Sequence, residues 1–93
     1  MLNMTLGEIA RAVEGELCRG NPDLRVRAVS IDSRTLSGGE LFFALRGQRH
    51  DGHAFAARAV AAGAAGVVVE REVPDLPPGA AVIRVRDTLC ALQ

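Results

Sequence analysis

A strand–helix–strand pattern between residues 41 and 70 most strongly constrains how this 93-residue chain can fold. The run LFFAL, residues 41–45, is apolar on both faces, as is typical of a strand inside a sheet. The alanine-rich segment HAFAARAVAAG, residues 53–63, predicts a helix that ends at Gly63, and AGVVVE, residues 65–70, predicts a second strand. Two strands joined by one helix favour parallel pairing through a right-handed crossover.

The flanking segments predict further elements. TLGEIARAVEG, residues 5–15, predicts a helix with Thr5 and Glu8 as a capping box and Gly15 as its C′ stop. Strands are expected at residues 15–20, 24–32 and 81–85, and a third helix at 86–93 with Asp87 as its N-cap. The order α-β-β-β-α-β-β-α predicts a single α/β domain over residues 1–93: a small three-layer α/β/α sandwich with a mixed sheet.

Two side-chain patterns within these elements carry a prediction about burial. Val29 and Ile31 join the second face of the strand at 24–32, so we expect this strand to enter the sheet interior as it proceeds. Phe55, Ala59 and Ala62 share one stripe of the second helix, where they are expected to pack closely on the sheet.

Composition excludes several functions. The net charge is zero, which argues against a general binder of nucleic acid or membrane surfaces. All 11 basic residues are arginine, so no lysine of this chain can serve as a base, a Schiff-base amine or a P-loop cation. The N-terminus lacks a signal-peptide pattern, and no apolar run has membrane-spanning length. Cys18 and Cys90 form no CxxC pair and are expected as free, buried or half-buried thiols, with a disulfide between them as the open alternative. A soluble cytoplasmic protein is predicted.

The loop ALRGQRHDGHAF, residues 44–55, concentrates the polar chemistry. A metal site at His50, Asp51 and His53 lacks an obvious further ligand, and a nucleophilic set of Ser33, His53 and Asp51 lacks the usual nucleophile-elbow pattern. We therefore predict neither a metal site nor a catalytic residue in this chain.

An anion site agrees better with the position of these residues. The segments DSR, residues 32–34, and RGQRHDGH, residues 46–53, each follow a predicted strand, and ligands collect beyond the carboxyl ends of strands in open α/β sheets. Arginine forks match phosphate oxygens, and unpaired N–H groups at a helix start near Gly52 to Ala54 would suit an anion. A purely structural alternative stays open, in which Asp32 pairs with Arg34 and Asp51 caps the helix.

These motifs resemble the N-terminal domain of the Mur ligases, the ATP-dependent enzymes of peptidoglycan precursor synthesis. The shared pattern is D-S/T-R, then G-x-L-F-x-A-L-x-G, then D-G-H-x-F and a Gly-Ala step into a Val-rich strand. In this chain it is formed by Asp32-Ser33-Arg34, Gly39, Leu41-Phe42, Ala44-Leu45, Gly47, Asp51-Gly52-His53, Phe55 and Gly63-Ala64. The ends, MTLGEIARAVEGEL and VIRVRDTLCALQ, resemble the branch of the family that adds D-alanyl-D-alanine to the UDP-N-acetylmuramoyl tripeptide.

The resemblance implies that this domain binds the UDP end of the UDP-N-acetylmuramoyl-peptide substrate. By similarity, the expected UDP contacts are Ile31, Ser33, Arg34, Gln48, Arg49, His50 and His53. The loop that presents them is expected to depend on Gly47, Asp51 and Gly52. His53 has an equally open alternative as a structural ring under the loop.

The resemblance also implies what this chain lacks. ATP and Mg²⁺ are bound by the family's central domain through a lysine-containing P-loop, and this chain ends at Gln93 without any lysine. We therefore expect an excised domain that binds no cofactor, is inactive alone, and works with the central and C-terminal domains of a longer ligase. Two alternatives remain: the sister ligase that adds the third amino acid, and a non-catalytic ligand-sensing domain of similar layout, such as the N-terminal domain of HPr kinase/phosphorylase.

Overall fold

The computed structural model describes residues 4–45, 51–73, 76–77 and 79–92. The strands are β1 (Met4–Thr5), β2 (Glu16–Arg19), β3 (Arg25–Val26), β4 (Ala28–Ser30), β5 (Glu40–Phe43), β6 (Gly66–Val69) and β7 (Ala81–Arg84). The helices are α1 (Leu6–Ala12), α2 (Ala56–Ala61) and α3 (Thr88–Leu92), and a 3₁₀ helix, Gly52–Phe55, leads directly into α2. Among the described helices, none is long and apolar enough to cross a membrane.

Five strands form one mixed sheet in the order β2-β7-β6-β5-β4. Strands β4, β5, β6 and β7 are mutually parallel, whereas β2 pairs antiparallel with β7 at one edge. The parallel pairing of β5 with β6 across α2 confirms the strand–helix–strand prediction. The two-residue strands β1 and β3 form a separate antiparallel ribbon that the sequence pattern did not predict.

Apolar side chains cover both faces of the sheet. On one face, Leu6 and Ile9 of α1 pack with Leu41, Phe43 and other residues of the sheet, and the end of α3 joins this cluster. On the other face, Ala56 and Ala59 of α2 pack with a second cluster that includes Phe42. The alternation of Leu41, Phe42 and Phe43 between the two clusters is what a fully buried strand requires. The predicted three-layer sandwich with a mixed sheet is confirmed.

The strand expected at residues 24–32 differs from its prediction. It is divided into β3 and β4, and β4 is the edge strand, so Val29 and Ile31 are 46% and 56% exposed instead of entering the sheet interior. The pattern of apolar residues was read as burial, but apolar side chains also occur at exposed edges.

Two smaller burial predictions are also corrected. In the second helix, α2 ends at Ala61 and leaves Ala62 exposed, so the buried stripe runs through Ala56 and Ala59. Cys18 and Cys90 are free thiols, but both are exposed.

The C-terminus of α1 contains a further correction. Gly15 was expected at the left-handed C′ position, but Glu14 occupies it with φ +56°. The Gly15 N–H donates to the Ala10 carbonyl at 2.8 Å and the Glu14 N–H to that of Arg11 at 3.2 Å, which is the Schellman pattern. A glycine is required at position 15 because a Cβ there would lie 2.8 Å from Val85 Cγ1 and 2.9 Å from the Arg84 carbonyl oxygen.

We predict that the substitutions Glu14→Gly and Gly15→Ala change stability in opposite directions. Glu14→Gly removes the left-handed strain of an L-residue and should raise the free energy of unfolding by about 0.5–1 kcal/mol. Gly15→Ala forces a methyl group against β7 and should lower it by about 1–3 kcal/mol. Urea denaturation of both variants tests this, and equal effects of the two substitutions would contradict the described turn.

Candidate functional site

A pocket of about 610 Å³ opens where β4 and β5 end. Its apolar part is formed by Ile31, Phe42, Leu45 and Phe55. Ile31 directly follows β4, Leu45 lies just beyond β5, and Phe55 belongs to the 3₁₀ helix before α2. The pocket therefore lies at the carboxyl edge of parallel strands, where open α/β sheets bind ligands.

The polar side chains of the pocket lie on two separate elements. The turn after β4 contributes Asp32, Ser33 and Arg34, and α2 contributes Arg58. Ser33 is buried at 8% exposure, and its side chain makes no hydrogen bond with another residue in the described part of the chain. A serine hydroxyl beside two arginines and an apolar floor offers complementary groups to an anion that carries an aromatic ring.

The Asp32–Arg34 pair is tightly bonded. Asp32 Oδ1 accepts the Arg34 backbone N–H at 2.8 Å and its Nε–H at 3.1 Å, and Oδ2 accepts Nη2–H at 3.1 Å. Hydrogen bonds from the Arg34 side chain and backbone hold the pKa of Asp32 below its usual value, so this carboxylate is charged at neutral pH. The pairing that the structural alternative predicted is present, and it lies in the wall of the pocket.

Arg58 is a pocket residue that sequence reasoning missed. Its guanidinium carbon lies 5.6 Å from the centroid of the Phe55 ring, a distance at which a cation–π contact forms. Phe55 and Arg58 are three residues apart at the start of α2, a spacing that places side chains on one face of a helix. That spacing was visible in the sequence and could have identified the arginine.

The segment that begins at Asp51 is hydrogen-bonded to the chain at the end of β5. The Gly52 N–H donates to the Leu45 carbonyl at 2.6 Å, and a Cβ at Gly52 would lie 2.6 Å from the Leu45 nitrogen. Gly52 is therefore required for backbone contact within the domain. The expectation of unpaired N–H groups at this helix start is wrong, because the His53 N–H donates to Asp51 Oδ1 and the Ala54 N–H to the Asp51 carbonyl. Asp51 caps the 3₁₀ helix, as the structural alternative predicted.

His53 lies beneath this turn with 4% exposure. Its Nε2 accepts the Glu70 backbone N–H at 2.9 Å, and its Nδ1 lies 2.7 Å from Asp51 Oδ1. An Nε2 that accepts a hydrogen bond carries no proton, so Nδ1 carries the proton of the neutral ring and donates it to Asp51. Both ring nitrogens are thus engaged within the domain.

The hydrogen-bond network continues across the sheet edge. Glu70 Oε2 accepts the Thr88 backbone N–H at 2.9 Å, and the Thr88 hydroxyl lies 2.9 Å from the Ala44 carbonyl and 3.1 Å from Glu70 Oε2. Thr88 is 1% exposed, so these polar groups are satisfied inside the fold. The network joins the ends of β5 and β6 to the start of α3.

The predicted site residues divide into three groups, one of which, Asp51, Gly52 and His53, lies at the start of the 3₁₀ helix. Ile31, Ser33 and Arg34 come together in the pocket. Gly47, Gln48, Arg49 and His50 lie outside the described residues, but Leu45 and Gly52, which flank this segment, both line the pocket. Within the described ranges, no group of three or more His, Cys, Asp or Glu residues could hold a metal ion.

The fold and site define a small α/β domain with an anion-compatible pocket at the carboxyl edge of its sheet. Residues 25–93 match the model of the "Mur ligase family, catalytic domain". The chain belongs to the Mur ligase family.

Two curated relatives illustrate the similarity. The chain is 43% identical over 96 residues to the UDP-N-acetylmuramoyl-tripeptide–D-alanyl-D-alanine ligase of Bacillus subtilis, covering 100% of this chain and 21% of the relative. It is 36% identical over 85 residues to the UDP-N-acetylmuramoyl-L-alanyl-D-glutamate–2,6-diaminopimelate ligase of Bacteroides fragilis, covering 91% and 18%. The chain thus spans about a fifth of the length of these relatives.

Solved structures agree on the fold. A crystal structure of MurF from Acinetobacter baumannii superimposes with a TM-score of 0.85 at 32% identity, over 97% of this chain and 19% of that one. MurF from Thermotoga maritima, solved in complex with ADP, gives a TM-score of 0.62 at 27% identity over 72% of this chain and 15% of that one.

We predict that the substitution Asp51→Asn makes stability less dependent on pH in the acidic range. Desolvation alone would raise the pKa of Asp51, but hydrogen bonds from Arg71, at 2.6 Å, and from His53 hold it far below its usual value. The ionised carboxylate therefore stabilises the fold above the unfolded pKa of about 4, and this contribution is lost as the pH falls toward the folded pKa.

Urea denaturation at several pH values measures this effect. The wild-type chain should exceed Asp51→Asn in free energy of unfolding at about pH 6, and the difference should shrink below about pH 4. Asp23→Asn, at an exposed turn, is the matched control and should show a constant difference. A wild-type advantage over Asp51→Asn that is the same at both pH values would contradict the prediction.

Proposed function

We propose that this chain is the UDP-binding N-terminal domain of an ATP-dependent ligase that adds D-alanyl-D-alanine to UDP-N-acetylmuramoyl tripeptide. The observation that carries the proposal is the pocket itself, which combines an apolar floor, the Ser33 hydroxyl and two arginines at the end of β4 and β5. A nucleoside diphosphate has the matching parts, namely a flat ring and a chain of anionic oxygens. The names of both sequence relatives contain a UDP-linked substrate.

Within the pocket, the groups divide by chemistry. Leu45 and Phe55 offer an apolar surface to the uracil, with the exposed Ile31 covering it from the β4 side. Ser33 has a hydroxyl that can donate to the nucleotide, and the guanidinium groups of Arg34 and Arg58 can bind the diphosphate.

The segment between Leu45 and Gly52 contains three further proposed contacts to UDP. Gln48, Arg49 and His50 remain proposed contacts, because the segment that contains them is flanked by two pocket residues, Leu45 and Gly52. We assign His53 to the support of this loop, since both of its ring nitrogens already have partners in the domain.

The contribution of this domain to the ligase is positional. Holding the UDP end of a long substrate fixes where its distant peptide carboxylate lies, so binding energy far from the reacting atoms can accelerate the reaction. This chain has no lysine and so cannot supply a P-loop lysine for ATP. We propose that ATP and Mg²⁺ bind to other parts of the complete ligase, which also contain the site for D-alanyl-D-alanine.

A second candidate is the sister ligase that adds the third amino acid. It is favoured by the similarity to 2,6-diaminopimelate ligases, which reaches 46% identity over 74 residues for Geobacillus kaustophilus. The two candidates differ in the peptide of the UDP-linked substrate, which is the tripeptide in one and L-alanyl-D-glutamate in the other, and in the incoming group. Both substrates carry the same UDP end, so both candidates require the pocket described here. Assay of the complete ligase with UDP-N-acetylmuramoyl tripeptide and D-alanyl-D-alanine, and separately with UDP-N-acetylmuramoyl-L-alanyl-D-glutamate and diaminopimelate, distinguishes them.

We predict that UDP binds to this chain through Ser33 and Arg58. Isothermal titration calorimetry should show UDP binding to the wild-type chain. The affinity should fall about three- to tenfold in Ser33→Ala, which loses a hydrogen bond, and about tenfold or more in Arg58→Ala, which loses a bond to a charged group.

The matched control is Arg86→Ala, which removes the same charge from an exposed site away from the pocket. It should leave UDP affinity within about twofold of wild type. Equal affinity of UDP for all four proteins, or no heat of binding at millimolar UDP, would overturn the proposed function.

A further inference from the structure

A carboxylate in the wall of an anion pocket is unexpected. Asp32 lines the same pocket as Ser33, Arg34 and Arg58, and its side chain is 35% exposed. By charge alone, Asp32 repels a diphosphate, because like charges at short range oppose binding. Arg34 and Arg58 outweigh this repulsion, but the presence of Asp32 in the wall still calls for a favourable contribution of its own.

The geometry of Asp32 supplies such a contribution. Its two carboxylate oxygens accept hydrogen bonds from the Arg34 Nε–H and Nη2–H groups, each at 3.1 Å. Oδ1 also accepts the Arg34 backbone N–H at 2.8 Å. The carboxylate thereby fixes both the turn and the long side chain that follows it. The Arg34 side chain is 82% exposed, so without these hydrogen bonds to Asp32 it would sample many rotamers.

The backbone of Asp32 is itself held in place. Ser30 Oγ lies 3.1 Å from both the Asp32 nitrogen and the Asp32 carbonyl oxygen, accepting from the first and donating to the second. The Thr35 N–H closes the turn onto the Asp32 carbonyl at 3.4 Å. The last residue of β4 thus holds Asp32, and Asp32 in turn holds Arg34.

We infer that Asp32 is a positioning residue, which orders Arg34 before the ligand arrives so that its remaining N–H groups meet the diphosphate. The inference rests on the proposed function and extends it. Arginine offers five N–H donors, of which Asp32 uses two, so donors remain for phosphate oxygens. Ordering a rotamer-rich side chain in advance removes part of the entropic cost of binding.

A double-mutant cycle separates positioning from charge, because the two effects have opposite signs. UDP and uridine are titrated into the wild type, Asp32→Ala, Arg34→Ala and the double variant. Positioning predicts that Asp32→Ala weakens UDP binding by roughly three- to tenfold in the wild-type background. In the Arg34→Ala background the same substitution should strengthen UDP binding, because only repulsion remains. Uridine lacks phosphate, so its affinity should stay within about twofold throughout.

Asp32→Asn provides a second variant that retains an oxygen for the Arg34 backbone N–H, and it should weaken UDP binding in the same direction as Asp32→Ala. Unchanged or tighter UDP binding by both Asp32 variants in the wild-type background would overturn the inference, and so would an equal loss of uridine affinity. Failure of the proposed function has a different signature, since the wild-type chain itself would then bind no UDP.

Discussion

The parallel pairing of β4, β5 and β6 determines where the two walls of the proposed pocket lie. Ser30 is opposite Phe42, and Phe43 is opposite Val68, so successive strands end at one edge of the sheet. The turn that carries Ser33 and the chain at Leu45 must therefore emerge side by side. The pocket follows from this pairing, and a change in register would separate its two walls.

The same edge is stabilised from beneath by buried hydrogen bonds. His53 links the turn at Asp51 to the backbone of Glu70, and Thr88 links Glu70 to the end of β5. Because these groups are largely shielded from water, removing one partner would leave another unsatisfied, which is costly. The wall of the pocket and the start of α3 thus belong to one hydrogen-bonded unit. A preorganised wall of this kind lowers the cost of ordering the site around a ligand.

Local sequence patterns predicted which segments form helices and strands better than they predicted where these elements lie in the fold. Three predicted features depend only on residues close together in sequence, and all three are present. They are the apolar strand β5, the alanine-rich helix α2 and the capping box formed by Thr5 and Glu8. The position of β4 at the sheet edge depends on strand order, which no local pattern encodes, so the burial of Val29 and Ile31 was mispredicted. Gly15 lies against Arg84 and Val85, about 70 residues away in sequence, and Glu14 occupies the left-handed position before it; no local pattern encodes this contact.

The position of part of the pocket was also predicted, whereas the ligand contacts stay predictions. The segment 32–34 was placed correctly because a polar motif after a strand lies at the sheet edge in any parallel arrangement. The N–H groups near Gly52 were misjudged, since their partners at Leu45 and Asp51 are set by how the chain closes onto β5. Arg58 was missed because it lies in a helix outside the recognised motifs, although its spacing from Phe55 indicated a shared face.

Mapping of UDP-induced chemical-shift changes by ¹H–¹⁵N NMR tests the central claim most directly. The account predicts that the largest changes cluster at Ser33, Arg34, Leu45 and Gly52, the backbone positions around the pocket. The amides at the opposite side of α1, such as Arg11 and Glu14, should stay unchanged. Changes centred near Arg86 and Cys90, or no changes at millimolar UDP, would contradict it.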